Sequence, residues 1–212
     1  MTDHFFVALL LLVNLRLFAS SRMGSLIRGA AAQSFLTVCL SALLRDGGIT
    51  AESWIFLIVS GLVKCLVLPL LMFRALRTVG IRRDIEPFVG YRVSLFLGLG
   101  AAAFSFWGVV QLPLPGGGVN PTAIAAALLS MITGLFLIVA RRKAISQAIG
   151  YLVMENGIFG LAPSLAVHSP LIVEAGVLLD VFVGVFVMSV IILHIRQEFK
   201  HIDIDRLSEL KD

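Results

Sequence analysis

Four ionisable side chains, Lys64, Glu155, Glu174 and Asp180, stand inside stretches that otherwise have the composition of lipid-spanning helices. A charge near the bilayer centre costs at least about 2.5–3.5 kcal/mol even on lenient insertion scales, so four of them call for a function or a partner. Such groups face the bundle interior and mark proton or ion paths. Two carboxyls in a low-dielectric site favour keeping a proton, a nearby ammonium opposes this, and a coupled set titrates as a unit. A row of Lys64, Glu155 and Asp180 would hold protons whose positions respond to charge arriving from a neighbouring subunit.

Depth can be counted from the nearest basic anchors at about 1.5 Å per helical residue. Lys64 then lies roughly 15 Å from Arg74, Glu155 roughly 18 Å from Lys143 and Asp180 roughly 24 Å from Arg196. All three fall in the middle of the bilayer, whereas Glu174 falls near the outer surface, at the mouth of such a path. Gly176, Asp180 and Gly184 recur every four residues, a small-residue stripe that lets a neighbouring helix approach the carboxylate. Pro69 and Pro163 each remove a helical hydrogen bond and free the carbonyls of Cys65 and Phe159, and a freed carbonyl beside Lys64 is a candidate ammonium or water partner.

Each of these residues has a plainer reading. Glu174 suits the N-terminus of a helix, where the dipole favours a carboxylate. Lys64 can snorkel, though over a long reach, and a static pair of Lys64 with an acid can simply hold helices together. His168 and His194 sit at span ends without ligand spacing. The chain has no Ser-His-Asp set, metal cluster or phosphate loop, and its two cysteines, Cys39 and Cys65, form no CxxC pair. A self-contained enzyme is not expected.

The elements that must position these groups are membrane helices. Of the 212 residues 58% are hydrophobic and 14% charged, with a mean hydropathy of +0.99, which leaves no room for a separate soluble domain. The start lacks the positive region of a signal peptide, so the first apolar run is expected to stay as a helix. Apolar stretches of spanning length occur near 4–20, 27–44, 53–73, 93–111, 122–140, 145–167 and 171–195. The expected fold is an all-α polytopic membrane protein of about seven transmembrane helices. The sixth is interrupted by Pro163, so six or eight stay open. With the N-terminus outside, fifteen of the 17 Lys and Arg residues fall on the cytoplasmic side, Arg45 alone falls outside and Lys64 lies within the membrane; the positive-inside rule therefore predicts an N-out, C-in topology. Net charge +4 distributed by membrane side does not suggest nucleic acid.

Helices one to three also resemble helices five to seven. Ile27 and Gln33-Ser34 match Ile149 and Glu155-Asn156, Lys64 matches Asp180, and Met72 matches Met188. One helix intervenes, so both copies keep one orientation, as parallel transporter repeats do. The transmembrane domain 1–195 then divides into a first three-helix unit (1–92), an intervening helix and external loop (93–120) and a second unit (121–195). The repeat pairs a neutral and cationic set, Gln33 and Lys64, with an acidic one. The cytoplasmic tail 196–212 alternates Ile202, Ile204, Leu207 and Leu210 with charges, as a surface helix or a docking element would.

Several segments resemble hydrogenase-4 component E: Val63 to Met72, Gly150 to Gly157, Glu174-Ala175-Gly176 with Asp180, and the tail pattern Asp203, Leu207, Leu210-Lys211. The resemblance runs over almost the whole chain. Roughly 121–195 is also similar to the K subunit of complex I and the C subunit of Mrp antiporters. Asp180 with Gly184 falls where those carry Glu and Gly, while their second-helix Glu comes about one turn before Glu155. The resemblance implies a bacterial or archaeal plasma-membrane subunit of a group 4 nickel–iron hydrogenase, beside antiporter-like subunits. It implies no cofactor in this chain, since the nickel–iron centre and iron–sulfur clusters would sit in partners. The ion, proton or sodium, stays open, as does a purely structural connector.

Overall fold

The computed structural model describes residues 2–44, 51–78, 90–112, 120–141 and 143–165, together with Gly184. The expectations on Glu174, Gly176, Asp180, the span 171–195 and the tail 196–212 lie outside these residues. Gly184 is helical, and a Cβ built on it would meet nothing described within 4 Å.

The described chain is helical: α1 (Thr2–Ala19), α2 (Met23–Leu43), α3 (Ala51–Leu62), a π turn (Val63–Val67), α4 (Leu68–Thr78), α5 (Tyr91–Gln111), α6 (Pro121–Ala140) and α7 (Ala144–Leu165). Among the described residues five stretches are long and apolar enough to cross a membrane: α1, α2, Leu57–Arg74 across the π turn, most of α5, and α6. The 22-residue α7 has the length but carries Gln147, Glu155 and Asn156, and it packs inside the bundle against α6 and α2. It also runs through Pro163 to Leu165, so the expected interruption does not occur. One missing N–H, with two residues left to run, removes a single bond without ending the helix.

The π turn has a cause in the sequence. Ser60, Lys64, Leu68 and Met72 form the buried stripe of the third span. At 100° per residue a four-residue spacing drifts by about 120° over three steps, and one extra residue in a turn absorbs most of that. The Leu68 N–H donates to the Val63 carbonyl five residues back, and Pro69 follows with no N–H of its own. The backbone break expected at Pro69 is therefore a wide turn carrying Lys64.

Side-chain contacts fix the helix directions. Asp3 meets Asn120, Asn14 meets Ser130, Phe18 meets Phe136 and Ser20 meets Arg141, so α1 and α6 run parallel. On α2 and α7, Met23 meets Ser146 and Ser34 meets Asn156, at sequence separations of 123 and 122. These helices are also parallel, in the register that aligns Gln33-Ser34 with Glu155-Asn156. Against α2, α3 and α4 run the opposite way: Gly61 faces Val38 and Gly24 faces Phe73.

Two consequences follow from these directions. The ends bearing Arg16, Arg22, Arg28, Arg74, Arg77, Arg92, Arg141 and Lys143 gather at one end of the bundle. At that end lies one core cluster, in which Leu17, Leu26, Ile27, Met72, Leu137, Ile149 and Val153 join α1, α2, α4, α6 and α7. Outward faces are apolar too: Phe5, Phe35, Ile58, Phe96, Phe104, Trp107 and Val110 are exposed, as lipid-facing side chains are.

Arg141 closes the basic end. It is buried, and its Nη2 donates to the carbonyls of Ser20 at 3.0 Å and Phe18 at 3.4 Å, the C-terminal end of α1. Burial pushes the guanidinium below its ordinary value, yet an arginine so placed stays charged. The carbonyls at a helix C-terminus lack intrahelical donors and favour a cation. Arg141→Met should lower stability by about 1.5–3 kcal/mol, the worth of hydrogen bonds to a charged group, read as a fall in the unfolding midpoint of the detergent-purified subunit.

Candidate functional site

At mid-height, between α2, the π turn and α7, the Lys64 ammonium donates to Glu155 Oε1. The two side chains are 3% and 4% exposed. Lys64 Nζ also lies 4.2 Å from the centroid of the Phe159 ring, one turn along α7 from Glu155. An ammonium over an aromatic face is attracted by the ring quadrupole, the more so when desolvated. The partners of Lys64 thus include a carboxylate, as the reading of a pair with an acid expects, and an aromatic ring. Lys64 points inward with its neighbours on the buried stripe and does not snorkel.

Beside this pair runs a chain of buried amides. Asn156 Nδ2 donates to Ser34 Oγ at 2.8 Å and to Gln33 Oε1 at 3.4 Å. Gln33 Nε2 donates to Asn14 Oδ1 at 3.0 Å. Asn14 Nδ2 donates to Ser130 Oγ at 3.0 Å and to the Leu10 carbonyl at 2.9 Å. Ser130 and Ser34 pass their own protons to the carbonyls of Ala126 and Ala30, each at 2.9 Å. The donors that cross between helices all point the same way, from α7 through α2 and α1 to α6. Asn14, Gln33, Ser34, Ser130 and Asn156 are all buried, and four helices are tied together by a polar network with its members paired, the condition for a low-dielectric interior to tolerate it.

Three glycines hold α7 in place. A Cβ at Gly134 would lie 2.3 Å from the Met154 nitrogen; one at Gly150 would lie 2.8 Å from the Gly134 carbonyl oxygen; one at Gly157 would lie 2.6 Å from the Met131 nitrogen. The backbones of α6 and α7 touch, as small-residue interfaces in membranes allow. Glu155 and Asn156 sit between these contacts.

The structure therefore joins Lys64 to Glu155 and places Gln33 one residue away through Asn156, with the buried Pro69 lining the same cavity as Lys64 and Asn156. Asn14 and Ser130 were not singled out in the sequence. Their signal is weak: a lone Asn in an apolar span, and a serine in a run of alanines. Gly134, Gly150 and Gly157 were also missed, although Gly150 and Gly157 lie two turns apart on one face. Among the described residues no three His, Cys, Asp or Glu side chains come together as a metal site would need.

No family model matches the chain, and no solved structure does. It is 37% identical over 153 residues to the uncharacterized protein Rv0085 of Mycobacterium tuberculosis, covering 71% of this chain and 69% of that protein. It is 29% identical over 182 residues to hydrogenase-4 component E of Escherichia coli, covering 85% and 84%, with the same values for hydrogenase-4 component E of Shigella flexneri. The chain thus belongs to the family of the mycobacterial protein Rv0085, and it has hydrogenase-4 component E as a more distant relative.

Proposed function

We propose that this chain is a non-catalytic membrane subunit of a hydrogenase-4-type, group 4 nickel–iron hydrogenase, and that it handles protons at the Lys64–Glu155 pair. The observation that carries the reading is this ion pair, buried at mid-depth and bracketed by polar side chains from α2 and α7. The similarity to hydrogenase-4 component E over most of the chain supports the assignment to a complex. Redox centres belong to partner subunits, and antiporter-like subunits are its membrane neighbours. The gathering of the basic residues at one end supports an N-out arrangement in the bacterial or archaeal plasma membrane, with that end in the cytoplasm. The register between α2 and α7 supports the duplicated architecture, since equivalent helices of parallel repeats face each other across an axis normal to the membrane.

The pair has two forms of equal net charge: an ammonium beside a carboxylate, and an amine beside a carboxylic acid. The second arises when one N–H proton of Lys64 moves along its hydrogen bond to Glu155. In a low-dielectric site the balance between these forms responds to a charge arriving nearby, which is how a redox event in a neighbour can be felt here. The competing reading is a structural connector, favoured by the same closeness of the pair. The double variant Lys64→Met with Glu155→Gln separates them, since it removes both charges at once. Proton pumping per assembled complex, measured in vesicles during hydrogenase turnover, should fall by about a hundredfold, the scale of a lost positioned proton donor. Pumping at the wild-type level in this variant and in Asp180→Asn would leave only the connector.

A further inference from the structure

Between α2, the π turn and α7 lies a cavity of about 10 Å³, lined by Ala31, Ser34, Lys64, Pro69, Met72 and Asn156 among others. Three of these are polar, and each comes from a different helix. A single water needs about 10–15 Å³ and two to four polar partners, so both conditions point to one molecule of that size. The chemistry is complementary as well. Lys64 carries N–H donors. Asn156 spends its two amide hydrogens on Ser34 and Gln33, which leaves its carboxamide oxygen as an acceptor. The Ser34 proton goes to the Ala30 carbonyl, which leaves a lone pair on Oγ beyond the one that accepts from Asn156. A water here accepts from the ammonium and donates one proton to the carboxamide oxygen and the other to the hydroxyl oxygen. A sodium ion has no place: it would need several oxygen ligands, in a space of one water.

We infer that this cavity is a single-water site linking the Lys64–Glu155 pair to the Asn156–Gln33–Asn14–Ser130 chain, and that it serves the pair as its proton carrier. The inference rests on the proton-handling reading above and narrows it to protons. Once Lys64 has passed a proton to Glu155, an excess proton reaching the cavity water from the aqueous phase makes it a hydronium, which donates that proton to the neutral amine, restoring the ammonium and leaving the water.

The test uses the intact complex in vesicles, with infrared difference spectra recorded in H₂¹⁶O and H₂¹⁸O. The wild type should show an O–H stretch that shifts with the oxygen isotope. Ala31→Val, which fills the cavity and alters no hydrogen-bonding group, should abolish that band, and Ala31→Gly should keep it. A wild-type spectrum without the band, or an Ala31→Val spectrum that retains it, overturns the inference. Should Ala31→Val fail to assemble, Ser34→Ala decides: the band must move when one of its partners is removed, and a band that stays put overturns the water site. Pumping is read separately. Ala31→Val should lower it by about tenfold or more per complex, and a lost band with unchanged pumping would overturn the carrier role of the water while leaving both the water site and the proposed function standing.

Discussion

Glu155→Gln alone should cost the subunit about 3–5 kcal/mol of stability, and adding Lys64→Met should restore most of that loss. The reason lies in how a buried pair divides its energy. Both charges are almost wholly shielded from solvent, so their desolvation offsets much of their attraction, and an uncharged pair of similar volume packs there nearly as well. Removing one partner strips the other charge of its ion-pair contact in low dielectric. The Phe159 ring softens this for Lys64 only in part, because a ring quadrupole contributes about 0.5–2 kcal/mol. The measurement is a double-mutant cycle on the unfolding midpoints of the detergent-purified subunit. Strictly additive effects would show that the two groups do not compensate each other in the folded protein. A cycle with strong coupling, joined to lost pumping in the stable double variant, would mean that the charges are kept for transport and not for holding the helices together.

The pairing of Lys64 with Glu155 was half legible in the chain. Counting residues from Arg74 and Lys143 places both at one depth, because the helical rise is fixed and the basic residues mark one membrane face. Depth says nothing of which way a side chain points around its helix. That depends on neighbours, and here on a π turn that keeps Lys64 aligned with Ser60, Leu68 and Met72. Pro69 signalled a disturbance but not its form. The span limits were legible for a simpler reason: the hydrocarbon core dictates the apolar length, so α5 and α6 begin and end within about two residues of expectation. Asn14 was hidden because one Asn in an 18-residue apolar helix gains meaning only when Gln33 and Ser130 are seen to flank it. The seam between α6 and α7 was hidden as well. Glycine is common in membrane helices, and no spacing reveals which glycines lie against another backbone.

That seam carries the second large effect. Gly134→Val should prevent the subunit from folding, a loss beyond about 4–5 kcal/mol, outside the range of ordinary substitutions. A Cβ at this position would stand 2.3 Å from the Met154 nitrogen and 2.5 Å from the Gly150 carbonyl oxygen. These are backbone atoms of a helix, so no rotamer change can relieve the overlap, and α7 must move away as a body. Moving it separates Asn156 from Gln33 and Ser34 and pulls Glu155 from Lys64, so buried polar groups lose their partners at the same moment. Packing strain of about 1–3 kcal/mol for an overfilled core is therefore only the first part of the cost. Gly108→Val is the control, since a Cβ there meets nothing within 4 Å; it should leave the yield of monodisperse subunit unchanged. If Gly134→Val elutes at wild-type yield with its midpoint intact, α6 and α7 are not in backbone contact. The alignment of Glu155 with Lys64 would then need another cause.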